Sequence, residues 1–358
     1  MSIRAMFCFD DLPKGLWSGG PSGGLLAGCG LEVSGYKLET NGAYASNPPY
    51  IDEDGWLSKP LGGNTAFVNL ILGNYTSVNA EKFIMGMRYK LPPFLASSGT
   101  VLLILATTVS GGNGVNVFTY ADLADREPGN EYYLEFSIRK DPDANRLIIE
   151  RRVNGKPIAD IYATVTAHVN LWATRGTYIR WPLRYSNTEV ASFKDMYIAD
   201  SLADEPGDAV SFLGPVRAVP IYLSGATGND WTTSSGEDLL TVFNADYEYG
   251  ATPDVPYAQN ATTEQPVATD LSVDFDSELT VHGVELFYSG KNSQASNARV
   301  EASIAYSGQN QQLGDIALQP NMQYGVSLGV NEKTPTGDTW SKDAINATDF
   351  ILLPRTVT

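Results

Sequence analysis

The chain has very little of what metal and imidazole chemistry require: two histidines and two cysteines in 358 residues. Neither a CxxC nor an HExxH spacing occurs, which excludes the common structural and catalytic zinc sites. A Ser-His-Asp mechanism would have to recruit His168, which follows a strand pattern, or His282, which lies inside an apolar one; both positions suit a structural histidine. Cys8 and Cys29 could pair or stay reduced. GxxxxGK[ST] is absent, and Gly111-Gly112-Asn113-Gly114 precedes a strand pattern rather than a helix, so no phosphate loop is encoded. Positive charge is scarce as well. With 24 Lys+Arg against 41 Asp+Glu the formal net charge is −17, which repels phosphate backbones and excludes nucleic acid as the expected partner. The longest apolar run, Val101 to Ala106, falls far short of the roughly 20 residues that cross a bilayer, so no membrane partner is expected. The apolar stretch near Met1 ends at Asp10-Asp11, too short for an export signal. Leu26-Ala27-Gly28-Cys29 has the letters of a lipoprotein cleavage site, but a Gly-rich stretch precedes it where an apolar core is needed.

What the chain does have is enough apolar and aromatic content, 43% and 11%, to bury a sizeable core, together with 34 Gly and 20 Pro to punctuate it. The dominant pattern is alternation with turn signals, the mark of antiparallel sheets. From Tyr132 onward, Leu134, Phe136 and Ile138 point one way while Tyr133, Glu135, Ser137 and Arg139 point the other. Asp141-Pro142-Asp143-Ala144-Asn145 supplies a turn, Arg146 to Val153 a return strand, and Asn154-Gly155 a tight turn into Ile158 to Val165. That predicts a three-stranded meander whose second face, with Arg139, Glu150 and Arg152, is solvated. Further strands are expected at 83–89, 101–109, 115–120, 177–180, 193–198, 216–223, 239–243, 281–288, 298–306, 323–330 and 349–353. Helical turns are expected only at 121–126 and 342–347.

The polar, acidic segment Ser201 to Asp208 reads as an exposed connection. It predicts an all-β chain of two antiparallel, jelly-roll-like β-sandwich domains, residues 1–205 and 206–358. The polar stretch Tyr247 to Asp270, with three prolines and little alternation, reads as a binding or contact loop.

Three groups of residues are candidates for chemistry. Asp52-Glu53-Asp54-Gly55 is a dense acidic turn and a candidate Ca²⁺ site, otherwise a solvated turn; no other cofactor is expected. Asp141, Asp143 and Asn145 open a calcium-loop spacing that fails at Arg146 and Arg152, which leaves a hairpin turn. Asp274, Asp276 and Glu278, spaced by two, would share one face of a strand at about 6.5–7 Å separations, as paired glycosidase carboxylates do. Leu271, Val273 and Phe275 on the opposite face equally fit an ordinary half-buried strand. Trp56, Trp172, Trp231 and Trp340 could stack sugars or serve cores and interfaces.

Taken in order, these pieces resemble a recurring arrangement in tailed-bacteriophage virion proteins, a concanavalin A/laminin G-like domain followed by a second β-sandwich. The resemblance rests on Phe9-Asp10-Asp11 with the Gly-rich loop and Trp56-Leu57-Ser58-Lys59, on Phe83 to Tyr89, and on Tyr133-Leu134-Glu135-Phe136 through Asn154-Gly155. It is carried above all by Asp195-Met196-Tyr197, an acidic connection, and Phe212-Leu213-Gly214-Pro215-Val216-Arg217. Asn229-Asp230-Trp231-Thr232 and Thr339-Trp340 extend it. It departs at Lys194, where an acidic residue is more usual, a change that alters a local ion site. What the resemblance implies is a non-enzymatic structural virion component: a head decoration, collar, tail or fibre-attachment protein. Such a protein would be assembled in the host cytoplasm in many symmetric copies, with other virion proteins as partners and host-surface glycans as a further candidate. The alternative is a carbohydrate-binding or glycoside-cleaving lectin-like protein.

Overall fold

The computed structural model describes residues 2–7, 15–16, 32–33, 36–40, 50–58, 67–72, 82–91, 101–106, 114–127, 129–141, 143–144, 146–164, 178–182, 192–201, 211–219, 221–227, 231–244, 258–260, 266–276, 278–290, 298–318 and 323–356. They fall into two units, Met1–Ala218 and Val219–Thr358.

The first unit contains a nine-stranded and a six-stranded antiparallel sheet. The larger runs in the order Lys156–Thr164, Arg146–Val153, Glu131–Lys140, Lys82–Lys90, Ser192–Ser201, Leu57–Ser58, Tyr50–Ile51, Gly15–Leu16, with Ser2–Phe7 also paired to Ser192–Ser201. The smaller runs Gly114–Thr119, Val101–Ala106, Tyr178–Pro182, Phe67–Leu72, Tyr36–Thr40, Glu32–Val33. The two pack face to face. Trp181 of the smaller sheet stacks on Phe193 of the larger at 4.9 Å and donates its indole N–H to Met87 Sδ. Phe118 meets Phe136 edge-on at 6.3 Å. Each such buried aromatic contributes about 1.5–3 kcal/mol of hydrophobic stabilisation. The meander forms as its turn chemistry requires: Asn154 and Gly155 take φ 51° and 76°, both left-handed, and bring Val153 opposite Lys156. At the preceding turn, Asp141 accepts the Asp143 amide and the Arg146 guanidinium, as a hairpin cap does.

The second unit holds a five-stranded sheet, Tyr222–Thr227, Val267–Ser272, Thr348–Thr356, Ala298–Tyr306, Gln309–Ala317, and a pair, Val284–Gly290 with Gln323–Asn331. Between them lies an apolar core that includes Leu271, Val284, Ala302, Ile304, Ile316, Trp340 and Phe350. Both units are therefore antiparallel two-layer structures.

Several expectations shift. Leu239–Phe243 is a short helix, not a strand, because Asp238 accepts the Thr241 amide and caps it, and a five-residue apolar run carries no period of its own. Lys342–Asn346 is helical as expected, capped by Ser341. In the segment 216–223 the strand begins only at Tyr222, since Phe212, Leu213 and Val216 pack onto the first unit. For the same reason the division expected after residue 205 falls at Ala218, and residues 211–218 belong to the first unit. Within the expected contact loop, Ala258–Asn260 and Val267–Ser272 are strands. Gln309–Ala317 is a strand without an apolar alternation; the Ser307-Gly308 turn, φ 50° and 77°, fixes it against Ala298–Tyr306.

Candidate functional site

The alternation along Glu131–Lys140 sends Leu134, Phe136 and Ile138 into the sandwich and Tyr133, Glu135 and Ser137 to the outer face of the nine-stranded sheet. That face is not solvated as expected. Glu135 and Ser137 are 0% exposed: the returning segment 211–218 folds over Glu135, and Ser137 donates to Glu150. Phe212, Leu213 and Val216 pack against Ile84, Tyr133, Tyr197 and Ala199.

The cover is held by polar bonds as well as by apolar contact. The Tyr197 hydroxyl donates to Glu135 Oε1 at 2.7 Å, and the Gly214 amide donates to the same oxygen at 2.9 Å. The Leu213 amide donates to the Tyr197 hydroxyl at 3.2 Å. Asp195, at a left-handed φ of 50° beside a β-bulge, accepts from Arg88 at 2.9 Å and from the Ala218 amide at 3.3 Å. Arg88 also bonds Glu131. Gly86 is required beneath this cluster, since a Cβ there would lie 2.3 Å from the Tyr197 ring and 2.8 Å from the Tyr133 hydroxyl. Burial pushes the Glu135 carboxyl up, opposed by the bonds from Tyr197 and Gly214 and by the Arg152 charge. Burial, reinforced by the neighbouring Glu135 charge, pushes the Tyr197 phenol well above its ordinary range. Glu135 Oε2 is buried and has no hydrogen-bond partner among the described residues.

Beside this cover a cleft of about 310 Å³ opens on the same sheet face, lined by Lys82, Glu150, Arg152, Pro157, Asp160 and Phe212 among others. Glu150 accepts the Ser137 hydroxyl at 2.7 Å and pairs with Lys82 at 3.3 Å and Arg139 at 3.5 Å. The Arg152 guanidinium lies over the Phe212 ring, 4.3 Å from its centroid. Its neighbour Arg151 points the other way, into the sandwich, bonding the Val117 and Ala159 carbonyls and Asp122.

The residues singled out in the sequence are dispersed. Asp52 Oδ1 accepts the amides of Asp54 and Trp56, a self-capped turn, and the Lys194 ammonium sits 2.8 Å from the Asp54 carbonyl oxygen. A side-chain cation thus stands beside the Asp52-Glu53-Asp54 turn, at the position where the resemblance departs. Trp56 is not a glycan platform: it is 2% exposed, with Lys194, Arg88 and Lys90 at 4.9, 5.4 and 5.4 Å from its ring. Trp340 is 3% exposed in the second unit's core and donates to the Asn331 carbonyl, so it too is structural. Trp231 is half-buried, edge-on to Phe243. Trp172, His168, Cys8 and Cys29 lie outside the described residues. The carboxylate triplet does not share a strand face. The strand ends at Ser272, Asp276 accepts the Glu278 amide in a turn, and Asp274 is fully exposed and pairs with Lys342 at 3.2 Å. His282 is half-buried, and burial pushes its imidazole pKa down. Among the described residues no group of three or more His, Cys, Asp or Glu is placed to hold a metal.

Arg152, Glu135 and Phe212 were legible individually but not as a site.

The fold defines an all-β protein of two antiparallel units. No family model matches the chain, and no curated protein matches it. Among solved structures, it is similar to an alginate lyase Aly36B variant in complex with alginate trisaccharide (TM-score 0.37, 11% identity, 56% of this chain and 100% of that one). It is similar also to a carbohydrate esterase from the Shiga toxin-encoding bacteriophage phi24B (TM-score 0.32, 8% identity, 55% and 97%). A third is a Lotus tetragonolobus seed lectin (TM-score 0.29, 13% identity, 47% and 94%). The all-β class rests on the strands and pairings above, not on these distant likenesses.

Proposed function

We propose that this chain is a structural component of a tailed-phage virion, a head decoration, collar, tail or fibre-attachment protein. In this reading its first unit is of the concanavalin A/laminin G-like type, and it acts through protein–protein docking in many symmetric copies, without catalysis. One observation carries the reading. The run that bears the virion-protein resemblance, Asp195 and Tyr197 followed by Phe212-Leu213-Gly214 and Val216, is a set of residues that bond one another and the sheet. Its chemistry is that of a seal. Glu135 and Tyr197, the acid and phenol with raised pKa, lie under the returning chain, where no substrate reaches them. A motif spent on holding the chain's exit path suits an assembly subunit, whose work is done by its outer surfaces. Quantitative mass spectrometry of density-purified particles tests it: the chain should be present at a fixed stoichiometry, and a chain found in lysate but absent from particles overturns the assignment. Glycan binding, the second reading, is favoured by the cleft beside Phe212.

A further inference from the structure

Arg152 is a half-buried cation whose charge acts on the buried Glu135 opposite it on the neighbouring strand, but which is tied to no carboxylate by an ion pair among the described residues. Among the described residues its guanidinium makes no hydrogen bond or ion pair, and it lies over the Phe212 ring. Arg88, Arg139 and Arg151 each pair with a carboxylate. In a chain with 41 acidic residues the lack of a direct ion pair sets the position apart. A guanidinium lying on an aromatic ring keeps its N–H donors at its perimeter, arranged to receive a planar carboxylate through two parallel bonds. Lys82 stands over the same ring, 5.7 Å from the centroid, so positive charge is gathered on this wall.

The rest of the cleft narrows the ligand. Asp160, exposed on the edge strand Lys156–Thr164, lines it and has no side-chain partner among the described residues, so its oxygens are free to accept hydroxyl protons. Glu150 stands beside it. Two carboxylates disfavour a phosphate or any multiply charged oxyanion, whereas a ligand without an anion would leave the N–H donors of Arg152 unused. The volume of about 310 Å³ lies at the small end of the roughly 300–1,000 Å³ range of ligand sites. A compact ring with one carboxylate and several hydroxyls meets all three conditions. We propose that this cleft binds a hexuronate, with the sugar carboxylate on Arg152 and ring hydroxyls donating to Asp160. The inference deepens the glycan-binding reading and does not depend on the virion assignment.

The test is a calorimetric or NMR titration of the full chain with D-glucuronate, D-glucose, acetate and inorganic phosphate. Glucuronate should bind at least about tenfold more tightly than the other three, and Arg152→Ala should remove at least about tenfold of that affinity. Asp160→Asn, at an exposed position that leaves packing untouched, should weaken glucuronate severalfold while leaving acetate unchanged; it carries the test should Arg152→Ala fail to fold. Absence of glucuronate binding at millimolar concentration overturns the proposal, as does binding indifferent to both substitutions. Equal binding of phosphate or acetate reduces the cleft to a simple anion spot and overturns it as well. If glucose binds as tightly as glucuronate the hexuronate assignment falls while glycan binding stands.

Discussion

At the scale of single residues, the outer-face cluster shows how one carboxylate changes the character of a sheet. Glu135 occupies a position that alternation assigns to solvent, yet its oxygens are buried, with two donors on Oε1 and none on Oε2. A carboxyl whose pKa is raised by folding binds its proton more tightly in the native state, so its ionisation costs stability as pH rises from the unfolded pKa, about 4.3, through the folded value. That cost is fully present above the folded pKa. Glu135→Gln keeps an acceptor for Tyr197 and Gly214 and removes the charge. The stability of this variant relative to the natural chain should therefore increase as pH rises from the unfolded pKa, about 4.3, through the folded one, and then level off. Urea midpoints measured in parallel across that range check the sign; a difference that shrinks with pH would mean that Arg152 and the two donors outweigh burial. Gly86 belongs to the same cluster, its missing Cβ being the space in which the Tyr197 ring and the Tyr133 hydroxyl lie.

Elements followed the sequence where turn chemistry was explicit. Asn154-Gly155 and the period-two run before it specify the meander, since both turn residues tolerate the left-handed φ that a two-residue hairpin needs. Ala298–Tyr306 has the bounds expected from its alternation. Leu239–Phe243 was misread because five apolar residues fit either period, and the cap of Asp238 decided for the helix. Asp274, Asp276 and Glu278 were misread for a related reason: spacing by two implies one face only while the chain stays extended, and here Asp276 turns it. The returning segment 211–218 is the element with the most consequence. A fragment ending at Ala218 should unfold at a higher urea midpoint than one ending at Glu205. The difference should be at least about 2 kcal/mol, because the shorter one uncovers Ile84, Tyr133 and Tyr197 and leaves Glu135 short of a donor. Equal midpoints would show that the cover contributes no stability.

For the molecule as a whole, the net charge of −17 is the governing quantity. Nine ion pairs among the described residues join strands or turns locally, and most involve partly exposed side chains, each worth about 0–1 kcal/mol. They do not offset the repulsion among surplus carboxylates spread over the surface. Shortening the Debye length from about 30 Å to about 8 Å by raising NaCl from roughly 0.01 to 0.15 M should raise the thermal midpoint. Scanning calorimetry at the two salt concentrations reads this directly, and a midpoint that falls with salt would place the local pairs above the global repulsion. The same charge opposes general adhesion between copies of the chain, so assembly in many copies, as proposed, would require specific contact surfaces.

Composition and periodicity were sufficient for an all-β chain with antiparallel pairing, because a strand's period and a tight turn's φ requirement are properties of neighbouring residues. The fate of each face was settled in three dimensions. Whether Glu135 meets water or the Gly214 amide depends on a segment 79 positions away, and no local pattern records that return. Trp56 and Trp340 carry the letters of sugar platforms, and only packing turned one toward three cations and the other into a core. Arg152 had the same standing as Arg139 on paper; the fold alone laid one on an aromatic ring and left the other paired, because electrostatic partners are chosen by distance in space rather than along the chain.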